Sequence, residues 1–211
     1  MLTVALTGGI ATGKTIVADV LRRRGCHVAA ADAAAHAVME PEKLAWKRIL
    51  ARFGADILNP DKTINRAKLG DIIFRDAGAR KFVDGIVHPL VMAMVRSEIA
   101  RLKKDARTKI YVSEAALTIE AGYAEFFDKI VVTYCPEEEQ LRRLTARDRI
   151  SREAAQLKIG AQIPSEQKLA YADYIIDTGS AVEDTIAQAE ELYEELLLDF
   201  RIKYGAADTP G

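Results

Sequence analysis

Residues 1–15 read MLTVALTGGIATGKT, and the fold is decided there. Leu2 to Leu6 is a short apolar run of strand formers that stops at Thr7-Gly8-Gly9. Gly8, four further residues, then Gly13-Lys14-Thr15 spell G-x-x-x-x-G-K-[ST], the phosphate-binding P-loop. From Ile16 the pattern turns helical, with Val17, Val20 and Leu21 on one stripe, Arg22-Arg23-Arg24 near its end and Gly25 as a stop. Strand, glycine loop and helix are the context in which this motif binds phosphate. Successive backbone N–H groups turn inward, and the helix adds its unpaired amides and the positive end of its dipole. In that arrangement Lys14 reaches the β- and γ-phosphates and the Thr15 hydroxyl binds Mg²⁺. A ligand-free glycine turn is the competing structural reading of the same residues.

Working outward, four more apolar runs appear: His27–Ala31, Ile110–Val112 ending near Glu114, Ile130–Tyr134 stopped by Cys135-Pro136, and Tyr174–Ile176 ending at Asp177. They are apolar on both faces, as strands of a covered parallel sheet are, and helical patterns separate them. The expectation is an α/β fold, a doubly wound parallel five-stranded sheet. Two gaps are too long for simple crossovers. The first, about 75 residues between Asp32 and Lys109, reads as helices over Ala33–Met39, Leu44–Phe53, Arg66–Phe74, Gly78–Val87 and Leu90–Lys104, with a turn at Asn59-Pro60-Asp61. The second, Glu137 to Ala172, carries Arg142, Arg143, Arg147, Arg149 and Arg152 on a helical pattern, then a polar stretch around Pro164. The tail from Gly205 to Gly211 is expected to fray.

Composition narrows the partners. The chain has 211 residues, 49% hydrophobic and 29% charged, with a formal net charge of −1. That is ordinary globular composition, and it argues against a general nucleic-acid or membrane-surface binder. No apolar run is long enough to span a bilayer, and no basic-then-apolar leader precedes the first strand. The two cysteines, Cys26 and Cys135, lack metal-type spacing and sit beside strands as small core residues do. A cytoplasmic protein with reduced thiols, monomeric or a small homo-oligomer, is expected. Trp46, on an apolar helix stripe, is expected in a core.

Ligands of an open α/β sheet sit beyond the carboxyl ends of its strands. The loops there carry Asp32, Glu114 with Glu120, and the approach to the arginine-rich segment. Phosphate loop, carboxylates and arginines at one sheet edge equip a phosphoryl-transfer enzyme. Asp32 suits an acceptor-hydroxyl partner and equally suits a helix N-cap for Ala33–Met39. Arg143 and Arg147, four apart, share a helix face and suit a closing lid, or a solvated face paired with Glu137, Glu138 and Asp148. Asp177-Thr178-Gly179 begins a GTPase-like D-x-x-G, but Ser180 stands where the glycine belongs and no N-K-x-D follows, so a GTPase switch is set aside.

With these residues quoted, the chain resembles the dephospho-coenzyme A kinase family nearly end to end. LTGGIATGKT matches the family's LTGGIGSGKS, and Ala30-Ala31-Asp32 stands at its Asp-Ala-Asp. Ala35-His36, Glu40-Pro41, Arg66 to Leu69, His88-Pro89-Leu90 and Ala116-Leu117-Thr118-Ile119-Glu120 follow in order. Gln140, Arg143, Arg147, Asp148, Gln162, Lys168, Ala172 and Asp173 match its later signatures. The resemblance implies ATP-dependent phosphorylation of the ribose 3′-hydroxyl of dephospho-coenzyme A, with Mg²⁺ accompanying ATP. It implies a nucleotide-binding core (1–31, 108–136 and 166–204), a helical substrate region (32–107) and a lid (137–165). It implies catalytic roles for Asp32, Lys14 and Arg147. ATP contacts are implied for Gly9, Ile10, Ala11, Thr12, Gly13, Lys14, Thr15, Ile16, Arg143 and Arg147. Substrate contacts are implied for Asp32, His36, Arg66, His88, Glu114 and Leu117, with a structural turn as the other reading of His88-Pro89. Ala11 replaces a loop glycine and is expected to avoid positive φ. Ala30, Glu114, Ala116 and Thr178 also depart from the family pattern. The competing readings are another small-molecule P-loop kinase acting on a nucleoside or nucleoside monophosphate, and an ATP-binding regulator that transfers nothing.

Overall fold

The computed structural model describes residues 1–105 and 107–205; the expected fraying beyond Gly205 lies outside them. Five strands, β1 (Leu2–Gly8), β2 (His27–Ala30), β3 (Ile110–Glu114), β4 (Lys129–Tyr134) and β5 (Tyr174–Asp177), form one parallel sheet in the order β2-β3-β1-β4-β5. The nine α-helices among the described residues are α1 (Lys14–Arg23), α2 (Ala31–Val38), α3 (Leu44–Phe53), α4 (Arg66–Arg75), α5 (Ala77–Asp105), α6 (Glu137–Asp148), α7 (Arg152–Gly160), α8 (Ser165–Lys168) and α9 (Val182–Tyr204). Two compact units result: one contains Met1–Ala29 and the chain from Ile99 onward, the other is Ala30–Glu98.

In the sheet unit, β1 is central and buried along its whole length. Its even residues Leu2, Val4 and Leu6 enter a core with Val17, Val20 and Leu21 of α1 and Ala189, Leu192 and Leu196 of α9. Register places Leu6 beside Glu114 and Gly8 beside Thr133, so three strand ends converge where β1 becomes the glycine loop. A smaller cluster, Leu141 and Leu144 of α6 with Ala155 of α7, takes Ile10 and Ala11 of that loop against it. Cys26 and Cys135 are buried free thiols, and burial pushes Cys26 up to about 12.

The helical unit holds most of the first long gap, up to Glu98. Trp46 is buried, as its stripe indicates, and its indole N–H donates to the Lys62 carbonyl at 2.8 Å. The Asn59-Pro60-Asp61 turn is closed by a Leu58–Ile64 bridge. The expected break at His88-Pro89 is absent: α5 is one helix of 29 residues with Pro89 inside it. Proline's ring clashes with the carbonyl four residues back and its missing N–H leaves that carbonyl without its helical donor. Here that residue is Gly85, and the helix runs on through the proline without a break. Several boundaries move by one or two residues. The second strand ends at Ala30 rather than Ala31, and the following helix starts at Ala31 rather than Ala33.

Candidate active site

The loop from Gly8 to Thr15 is the centre of the sheet unit's ligand edge. Gly8 has φ 145, and a Cβ there would lie 2.4 Å from the Thr133 hydroxyl, so only glycine fits. Lys14 folds back over the loop, its Nζ donating to the carbonyls of Gly8 at 3.0 Å and Gly9 at 2.8 Å. Thr15 follows at the start of α1, and its hydroxyl donates to Glu114 Oε1 at 3.2 Å. A hydroxyl and a carboxylate are hard oxygen donors of the kind Mg²⁺ takes while keeping phosphate and water ligands. Among the described residues no group of three or more His, Cys, Asp or Glu side chains is placed to hold a metal. The donor set therefore fits a cation arriving with a phosphate ligand better than a resident one.

Ala11 corrects the sequence expectation: its φ is 61, in the left-handed region. A non-glycine residue there costs about 1–2 kcal/mol. The loop's course, set by Gly8, Gly13 and their neighbours, requires the conformation whichever small residue fills it.

Contacts far apart in sequence hold the loop. The Thr12 hydroxyl lies 2.7 Å from that of Thr133, and the Thr178 hydroxyl donates to the Thr12 carbonyl at 3.0 Å. Arg143 of α6 donates to the Thr178 carbonyl at 2.6 Å and to Glu139 at 2.7 Å. Glu139 also takes a bidentate pair from Arg142, which holds its carboxyl down at about 2. Gln162 Oε1 accepts from the Ile10 amide at 2.9 Å, and Gln140 donates to Ser165 at 2.6 Å. Gly9 is packed so closely that a Cβ would sit 2.6 Å from Ser165 Oγ. Arg147, on the last turn of α6, is exposed and bonds Asp148 at 2.8 Å, the pairing of the solvated-face reading.

Beneath the loop after β3 lies a buried charge pair. Lys168, fully buried, donates to Glu120 Oε1 and to the Ala116 carbonyl, each at 2.7 Å. Burial lowers the lysine's pKa, and Glu120 opposes that. Ile163 N donates to the same Glu120 oxygen at 3.3 Å, while Glu120 Oε2 is buried without a partner. Leu117 is half-buried in the same turn.

The remaining expected substrate residues belong to the helical unit. Asp32 is not a cap: the N-cap of α2 is Ala30, which has no side-chain bond, and Asp32 is exposed in the first turn. Its carboxylate holds no hydrogen bond or ion pair among the described residues. His36 lies one turn further on the same face. Arg66 opens α4 behind Asn65, whose side chain accepts from Lys68 N. His88 is half-buried within α5, 3.6 Å from Asp84. Sequence reasoning gave no role to Gln162, Thr178, Thr133 or Lys168. The first two and Lys168 were visible as signature positions, but nothing local marks what they touch.

The family model for dephospho-CoA kinase matches residues 2–184. The chain belongs to the dephospho-CoA kinase family. The dephospho-CoA kinase of Syntrophus aciditrophicus is 37% identical over 207 residues, 98% of this chain and 88% of that one. That of Geobacter metallireducens is 40% identical over 196 residues, covering 92% and 96%. Among solved structures, the dephospho-CoA kinase from Campylobacter jejuni superposes with a TM-score of 0.66 at 29% identity, covering 92% and 96%. A shikimate kinase from Acinetobacter baumannii shares the fold, with a TM-score of 0.53 at 19% identity over 94% of each chain. The chain is a kinase of this family, and the nucleoside-kinase and non-catalytic readings fall away with that membership.

Proposed function

We propose that this chain transfers the γ-phosphoryl group of ATP to the ribose 3′-hydroxyl of dephospho-coenzyme A, giving coenzyme A and ADP. The observation that carries the proposal is the loop itself, with the Lys14 ammonium curled over it and the Thr15 hydroxyl on the Glu114 carboxylate. Residues 9–16 of the loop and Lys14 bind the phosphates, the Ile10 amide staying on Gln162, and Lys14 leaves the Gly8 and Gly9 carbonyls for the stronger anionic acceptor. Thr15 and Glu114 would hold Mg²⁺ arriving with ATP, and the ion would supply neutralisation of phosphate charge. Arg143 borders the nucleotide, and Arg147, on an exposed helix end, exchanges Asp148 for the transferring phosphoryl group as residues 137–165 close as a lid. Residues 1–31, 108–136 and 166–204 are the nucleotide-binding core, and 32–107 is the region that takes dephospho-coenzyme A. There Asp32, His36, Arg66 and His88 contribute, with Glu114 and Leu117 from the core.

Asp32 orients the 3′-hydroxyl and accepts its proton. An unengaged carboxylate at a helix start suits that work, since no partner has to be broken first. The proposal also includes a cytoplasmic setting, no nucleic-acid or membrane partner, and a monomer or small homo-oligomer. The two buried free thiols support the reducing setting. The test is Asp32→Asn, assayed by ADP release with and without dephospho-coenzyme A. General-base and orienting help contributes about 10²–10⁴-fold, so kcat should fall by two or more orders of magnitude while ATP binding is kept. Near-wild-type turnover would remove Asp32 from the reaction.

A further inference from the structure

Ala11 carries a left-handed φ of 61 at the tip of the phosphate loop, between two fixed neighbours. On its C-terminal side Thr12 is tied to Gly9, Thr133 and Thr178. On its N-terminal side the Ile10 amide donates to Gln162 Oε1 at 2.9 Å. The donor is a backbone N–H, so Gln162 must present its oxygen. Gln162 lies between α7 and α8 and is itself placed by its neighbours: Ile163 N meets Glu120, and Ser165, the first residue of α8, meets Gln140. Ile10 and Ala11 also rest on the Leu141, Leu144 and Ala155 cluster. A strained residue persists when its surroundings over-determine it. Without such anchors, alanine would leave this conformation by a factor of about ten for ordinary right-handed or extended backbone.

We infer that Gln162 is a positioning residue for nucleotide binding: by fixing the Ile10 peptide it holds Ala11 in the left-handed conformation that the loop needs to cradle phosphate. The inference rests on the nucleotide-binding reading of the loop. It predicts that dependence on Gln162 comes from having alanine, not glycine, at position 11. Glycine takes positive φ without that penalty, so an Ala11→Gly loop keeps its shape with less help.

The experiment is a double-mutant cycle on the full chain, reading the ADP dissociation constant by titration calorimetry with Mg²⁺ at 25 °C, alongside thermal melting. Gln162→Met should weaken ADP binding about five- to tenfold in the Ala11 protein, with little change in melting. Made on Ala11→Gly, the same change should cost less than about twofold. Gln162→Asn, which pulls the oxygen short of Ile10, should repeat the pattern and stands in if the methionine variant folds poorly. Equal losses in both backgrounds would overturn the inference, because Gln162 would then act on the nucleotide or the fold directly. A loss under twofold in the Ala11 protein would also overturn it. Failure of the unmodified chain to bind ADP would instead refute the nucleotide-binding reading.

Discussion

Replacing Lys168 by methionine isolates the buried pair beneath the β3 loop. Methionine keeps most of the side chain's length and apolar volume, so packing changes little. The ammonium, however, is the charge that balances Glu120 from 2.7 Å, and it also satisfies the Ala116 carbonyl. After the change Glu120 keeps only the Ile163 amide, and its second oxygen already lacks a partner. Removing one member of a buried pair costs about 3–5 kcal/mol; Glu120 retains 16% side-chain exposure, so the lower part of that range, about 3–4 kcal/mol, applies. For a chain of this size 1 kcal/mol moves the melting temperature about 2–4 °C, giving a fall of roughly 6–16 °C. Calorimetric melting at neutral pH reads it. Lys168→Met with Glu120→Leu should regain much of the loss, since an apolar pair can replace a buried ionic one. Melting of Lys168→Met within 2 °C of the unmodified chain, or a double variant no more stable than the single, would refute the reasoning.

Lys14→Ala removes a charge-assisted contact worth about 1.5–3 kcal/mol, so ATP should bind roughly 10- to 150-fold more weakly by calorimetry, with turnover reduced. Gly9→Ala places a Cβ 2.6 Å from Ser165 Oγ and 2.8 Å from Gln140 Nε2; such overpacking costs about 1–3 kcal/mol, and Ser165→Ala in the same chain should recover part of the lost melting temperature. Glu139, held at about 2 by Arg142 and Arg143 against an ordinary 4.5, stabilises the fold above pH 4.5 and loses that contribution as pH falls towards 2. The melting-temperature difference between the unmodified chain and Glu139→Gln should therefore shrink across that window.

Most of the sheet was legible because its strands are buried on both faces, which leaves short apolar runs such as Ile130–Tyr134 between helical patterns. The loop was legible because its glycines and Lys14 are local in sequence. Pro89 misled because proline usually ends helices, whereas α5 continues through this one. Ala11 misled because intrinsic preference yields to a loop whose neighbours dictate its path. The contacts that hold the site were illegible for a different reason. Gln162 meets Ile10 across 152 residues and Thr178 meets Thr12 across 166. Nothing in a polar stretch that ends at Lys168 distinguishes a fully buried ammonium from a solvated one.

The strand order bears on how the chain is made. β1 emerges from the ribosome first, yet it lies in the middle of the sheet, and its partners β3 and β4 begin at Ile110 and Lys129. At about 5–20 residues per second, roughly 5–20 s of synthesis separates the strand from its first neighbour. During that interval both of its edges are unpaired, and open apolar edges invite mispairing. Thr178, which anchors Thr12, is translated later still. Nascent chains stalled before that residue should therefore lack an organised phosphate loop, so the nucleotide site matures long after its motif has been made.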